Sequence, residues 1–120
     1  LFLLFISSYS VSFAQLKKAA YGIYEGRIEN YSIGELNEDV AIDATNIEIH
    51  LFKDYIFLFV GGQKYVGNWK VLLETKVYYL VEALTNSEAP ERLMVYKKER
   101  KIIREGISPQ PNAVLMKKRK

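Results

Sequence analysis

From Asn46 onward the chain is a succession of short apolar runs: NIEIHLF, YIFLFV, KYVGNWKVLL, KVYYLVEAL, RLMVYKK and KIIRE. Turn-forming or polar residues part them at Lys53-Asp54, Gly61-Gly62-Gln63, Glu74-Thr75, residues 85–91 and Glu99-Arg100. Runs of this length, rich in β-branched and aromatic residues and closely spaced, read as strands joined by tight turns. No helical stretch of comparable strength competes with them. The fold class expected is all-β, an antiparallel up-and-down meander closing into a small barrel or strongly curved sheet.

The first half is less regular. Residues 17–21 fit no single element. AYGIYEGRIENYSIG alternates and is cut by Gly22, Gly26 and Gly34, a first strand with a bend. ELNEDVAIDATN is polar, a loop with a short strand at its centre. The tail ISPQPNAVLMKKRK breaks at Pro109-Gln110-Pro111 and can return as a last strand over 113–117.

One hairpin is specific enough to fix partners. A two-residue turn at Lys53-Asp54 sets Phe52 against Tyr55, Leu51 against Ile56, His50 against Phe57 and Ile49 against Leu58. One face is then aliphatic (Ile47, Ile49, Leu51, Ile56, Leu58, Val60), the other aromatic and slightly polar (Glu48, His50, Phe52, Tyr55, Phe57, Phe59). A sheet with one wet face alternates apolar with polar, and these strands do not. The second face must therefore meet a loop, a terminal segment or a second subunit.

The first fifteen residues, LFLLFISSYSVSFAQ, carry an apolar run and then small residues at Ser12 and Ala14 spaced like a signal-peptidase site. Residues 1–14 are expected to be a signal-peptide remnant, 15–117 a single β-barrel-like domain and 118–120 a basic tail, in a periplasmic or secreted protein. The apolar run breaks at Ser7-Ser8, short of the roughly 20 residues of a membrane span. With no cysteine in the chain, disulfides, thiolate metal sites, cysteine nucleophiles and a lipidated cysteine are excluded. At 49% hydrophobic and 26% charged residues the composition is that of an ordinary globular domain.

Charge is distributed unevenly. Residues 25–54 hold eight acids against Arg27 and Lys53, whereas residues 92–120 hold ten bases against Glu99 and Glu105. Such halves attract one another within a fold or between subunits. The basic stretch KKERKIIREG is read as a hairpin tip and sheet edge, where lysines block edge-to-edge pairing, and not as a nucleic-acid grip.

Chemistry-bearing motifs are few. His50 is the sole histidine, and with Glu48 on the same strand face it offers one acid/base pair and no second imidazole. Asp39, Asp43 and Asn46 lack the spacing of a calcium loop. Gly61-Gly62 and Gly22-Ile-Tyr24-Glu-Gly26 open no helix that would receive a phosphate. The remaining candidates are the aromatics Tyr24, Tyr55, Phe57, Phe59, Trp69 and Tyr79, set either as a closed core or as the lining of a ligand cavity.

Gly22-Ile-Tyr24-Glu-Gly26 in the first strand and Gly67-Asn-Trp69 in a later one resemble the small secreted barrels of Gram-negative bacteria. These are the lipocalin-like domains and the N-terminal barrel of copper-homeostasis lipoproteins. The likeness spans residues 20–105 and implies an up-and-down envelope barrel that binds apolar molecules or other envelope proteins. The lipocalin Gly-x-Trp belongs to the first strand and is central here. The lipidated cysteine and Cys-x-x-Cys pair of the copper family are absent, so copper binding and thiol sensing are not transferred. The function expected is therefore an exported, non-enzymatic binding module without a cofactor, taking a small apolar ligand through the six aromatics. The alternative is a protein-interaction or self-assembling envelope module, including a homodimer, that uses its second apolar sheet face.

Overall fold

Strand-forming runs of four to twelve residues each find an antiparallel neighbour. The computed structural model describes residues 15–35, 38–87, 89–107 and 109–119, so the signal-peptide expectation for residues 1–14 lies outside the described residues. A 3-10 turn, Lys18–Ala20, precedes ten strands: β1 Gly22–Ile28, β2 Tyr31–Glu35, β3 Glu38–Ile42, β4 Thr45–Leu51, β5 Ile56–Val60, β6 Gln63–Glu74, β7 Tyr78–Thr85, β8 Glu91–Tyr96, β9 Lys101–Arg104 and β10 Ala113–Lys117. Eight of them form a closed antiparallel barrel in the order β1-β10-β9-β8-β7-β6-β5-β4. The expected all-β meander is the observed fold, and of its two forms it takes the closed one. Among the described residues no helix is long and apolar enough to cross a membrane.

The Lys53-Asp54 hairpin has the expected register, with Leu51 opposite Ile56, His50 opposite Phe57 and Ile49 opposite Leu58. The Phe52 amide donates to the Tyr55 carbonyl at 3.1 Å. The polar segment carries the short strand expected at its centre, β3, and the alternating run before it divides into β1 and β2. Ile28 of β1 faces Thr45 of β4, and three residues further along each chain Tyr31 of β2 faces Ile42 of β3. The two pairs of strands share one register, so β2 and β3 prolong the β1–β4 ribbon beyond the barrel. Ladder hydrogen bonding carries the poor strand formers Glu38 and Asp39 along with it.

Alternation puts the aliphatic face inside. Ile49, Leu51, Ile56, Val81, Leu93, Val95, Ile102 and Leu115 are completely buried, and Leu58 nearly so. At the end where β1 begins, residues 15–21 lie across the barrel mouth, with Leu16 and Ala20 buried. At the far end the buried Arg104 closes the core. Its Nε and Nη2 donate to Glu91 at 2.6 and 3.1 Å, and its Nη1 to Gln110 Oε1 at 2.6 Å. The acidic and basic halves meet where β1 pairs with β10: Lys118, placed by sequence in the basic tail, lies 3.3 Å from Glu25 and 3.5 Å from Glu48.

Candidate functional site

The six candidate aromatics do not line one cavity. Tyr24 and Tyr79 point into the barrel and are buried. Trp69 is half-buried at the edge of the core, donating Nε1–H to the Phe52 carbonyl at 2.7 Å. Tyr55, Phe57 and Phe59 stand outside, on the face opposite to Ile56 and Leu58. Reading aromatic content without separating odd from even strand positions merges two surfaces that the pleat holds apart.

The outer set forms a connected strip. Ring centroids are 5.1 Å apart for Phe52 and Tyr55, 5.0 Å for Tyr55 and Phe57, and 4.9 Å for His50 and Phe59. Lys64 Nζ lies 4.6 Å from the Phe57 ring centroid, an attraction between cation and π face. Cross-strand register sets Glu25, Glu48, Phe59 and Lys64 in one row over β1, β4, β5 and β6. Along that row the face is acidic at β1 and β4, where Lys118 also lies, aromatic at β5 and basic at β6.

Within the acidic edge His50 Nε2 and Glu48 Oε1 are 2.9 Å apart. That hydrogen bond, aided by nearby Lys118, holds the Glu48 carboxyl below the usual carboxylate range against a smaller opposing effect of burial. The pair supplies a hydrogen-bonded carboxylate and imidazole, with the rings of Phe52, Phe57 and Phe59 near His50 and Ile23 opposite it on β1. Among the described residues no three His, Cys, Asp or Glu side chains cluster as metal ligands.

The second feature, which the sequence reading missed, is the mouth. Tyr24 donates its hydroxyl proton to the Ala20 carbonyl at 2.7 Å, and Lys117 Nζ donates to the Ala19 carbonyl at 2.6 Å. The Tyr21 and Trp69 rings meet at 6.3 Å. These contacts hold the N-terminal segment over the barrel and leave a pocket of about 600 Å³ beside it. Its walls join Lys18, Tyr21 and Phe52 to Arg100 and to residues 117–119. The bases come from the segment before β1, the β8–β9 hairpin and the end of β10, so no local motif announces them.

Burial pushes the Tyr24 hydroxyl up to about 12, with Arg100 opposing the shift. The folded state thus keeps a proton that the unfolded chain releases above the ordinary tyrosine value near 10. Stability from this group is full below pH 10 and is lost as pH rises from 10 through about 12. Tyr24→Phe is expected to cost about 1 kcal/mol at neutral pH, for one hydrogen bond. It should also flatten that part of the alkaline loss, as urea titrations between pH 8 and 11.5 will read.

Comparison of the chain with models of known protein families, with curated proteins and with solved structures finds no match.

Proposed function

We propose that this is an exported, non-catalytic binding module that assembles with a second copy of itself through the outer face of β4, β5 and β6. The closed antiparallel barrel is the architecture that the lipocalin-like resemblance implies, and the signal-like sequence LFLLFISSYSVSFAQ supports export to the periplasm or beyond. Fully buried aliphatic side chains occupy the interior, which favours a binding surface on the outside.

One observation carries the reading: the row Glu48, Phe59, Lys64 is self-complementary. A two-fold axis lying in the face and parallel to the strands sets the acidic edge of one copy over the basic edge of the other. The Phe57 and Phe59 rings then stack along the axis. That is the arrangement an isologous dimer requires, with the same patch used twice. Desolvated aromatics at the centre with charges at the rim match the usual anatomy of such contacts.

Sedimentation equilibrium is expected to show a dimer whose dissociation constant rises at least tenfold in Lys64→Glu and in Glu48→Lys. Each variant alone sets like charges together, whereas an equimolar mixture restores both opposite-charge pairs and should dimerise again. A wild-type chain that stays monomeric at high concentration, or variants that dimerise as the wild type does, would overturn the proposal.

A further inference from the structure

The mouth pocket has a chemistry of its own, and it shares Phe52 with the outer aromatic strip. Five of the described residues in its walls are cationic, Lys18, Arg100, Lys117, Lys118 and Arg119, and none of the described residues there is Asp or Glu. Lys118 is engaged by Glu25 and Glu48. Lys18, Arg100 and Arg119 are in none of the ion pairs found among the described residues. The remaining wall is apolar and aromatic, supplied by Tyr21, Ile23 and Phe52.

Backbone geometry brings these bases together. The Lys117 amide donates to the Arg100 carbonyl at 2.8 Å, and the Lys118 amide to the Ile23 carbonyl at 2.8 Å. The β8–β9 turn and the end of β10 are thereby fastened to each other and to the start of β1. Arg100 itself has φ +52°, the one non-glycine residue in the left-handed region among the described residues. An arginine there costs about 1 kcal/mol or more relative to glycine, which the turn would accept freely. A side chain kept where the backbone disfavours it marks a local rule broken, and such breaks gather at functional sites.

We infer that this pocket binds a small amphipathic anion, a carboxylate or phosphate monoester whose head group meets Arg100, Lys18 and Arg119 and whose apolar body lies on Tyr21 and Phe52. The pocket volume of about 600 Å³ is within the range of small-molecule sites. Arginine's planar fork suits either head group in bidentate fashion. A neutral molecule of the same shape would leave the cations without a partner, and a bare inorganic anion would leave the aromatic wall unused.

Titration calorimetry with decanoate, decyl phosphate, decanol and inorganic phosphate tests this directly. Decanoate and decyl phosphate should bind, more weakly as salt rises, and at least tenfold more tightly than decanol or inorganic phosphate. Arg100→Gly should weaken both anionic amphiphiles at least tenfold while its melting temperature stays equal to or above that of the wild type. That combination separates a ligand contact from a structural one, since loss of fold would lower both. Arg119→Gln, on an exposed residue, should weaken binding in the same direction. Decanol binding as tightly as decanoate, inorganic phosphate as tightly as decyl phosphate, or unchanged binding in Arg100→Gly would each overturn the inference. So would association with phosphatidylglycerol vesicles in the absence of any binding to the soluble amphiphiles.

Discussion

Gly67→Ala is expected to cost the barrel a large fraction of its stability. Gly67 sits in β6 between Ile56 of β5 and Thr85 of β7, at a position whose side-chain direction is inward. A Cβ there would run into the Leu84 carbonyl oxygen and stand 2.7 Å from both the Leu84 carbonyl carbon and the Thr85 Cα. All three are backbone atoms, so no rotamer change relieves the contact. The two strands would have to part and give up ladder hydrogen bonds. Ordinary overpacking costs about 1–3 kcal/mol, and a clash confined to backbone should exceed it, at about 4 kcal/mol or more. For a domain whose total stability is on the order of 5–15 kcal/mol that is a large fraction. Thermal unfolding by circular dichroism checks it, with Gly62→Ala as control. A Cβ at Gly62 meets nothing within 4 Å, leaving only the strain of φ +89°, about 1 kcal/mol. A Gly67→Ala melt close to that of the wild type would contradict the argument.

The second large effect belongs to the far end of the barrel. Arg104 and Glu91 side chains are 9% and 12% exposed, and their contact is bidentate. Arg104→Met removes the partner of a carboxylate that has already lost most of its water, and the expected destabilisation is about 3–5 kcal/mol. Adding Glu91→Leu takes away the stranded charge and should return most of that loss, because buried ion pairs replaced by apolar groups of similar volume are close to neutral. Urea unfolding of the single and double variants measures both. A double variant no more stable than Arg104→Met would show that the two groups are not energetically coupled.

These two positions also show where sequence reading succeeds and where it stops. The Lys53-Asp54 hairpin was legible down to individual partners, because a two-residue turn between two alternating runs allows a single register. The last strand over 113–117 was legible for the same local reason, an apolar run after a Pro-x-Pro break. Arg104, by contrast, reads in KKERKIIREG as one more edge cation. Its burial depends on β9 lying between β8 and β10, with Leu93 and Ala113 as its cross-strand neighbours. Gly67 reads as the first residue of Gly-Asn-Trp, and nothing local says that a carbonyl of β7 comes so close.

The candidate site divides likewise. Aromatic residues at Tyr55, Phe57 and Phe59 were identifiable from composition alone, and their common face from alternation. Tyr24 and Tyr79 point inward and away from those three, because which side of a strand is inside is decided by barrel curvature and not by the strand's own pattern. Both strands of the ribbon extension are legible locally, β2 in the alternating run through Gly34 and β3 as the short strand inside the polar segment, whereas their pairing in the register of β1 and β4 is stated by no local pattern.

By itself the sequence determined the strand content, the antiparallel order from β4 to β10 and the absence of thiol chemistry. Those follow from side-chain period, turn chemistry and composition, which act over a few residues. Only the tertiary structure decided that β1 closes the barrel between β4 and β10 and that residues 15–21 lie over its mouth. It also decided that Lys18, Arg100 and residues 117–119 share one pocket. These are contacts between segments far apart in the chain, and they exist because closing the sheet pairs its two edge strands and gathers their ends on one rim.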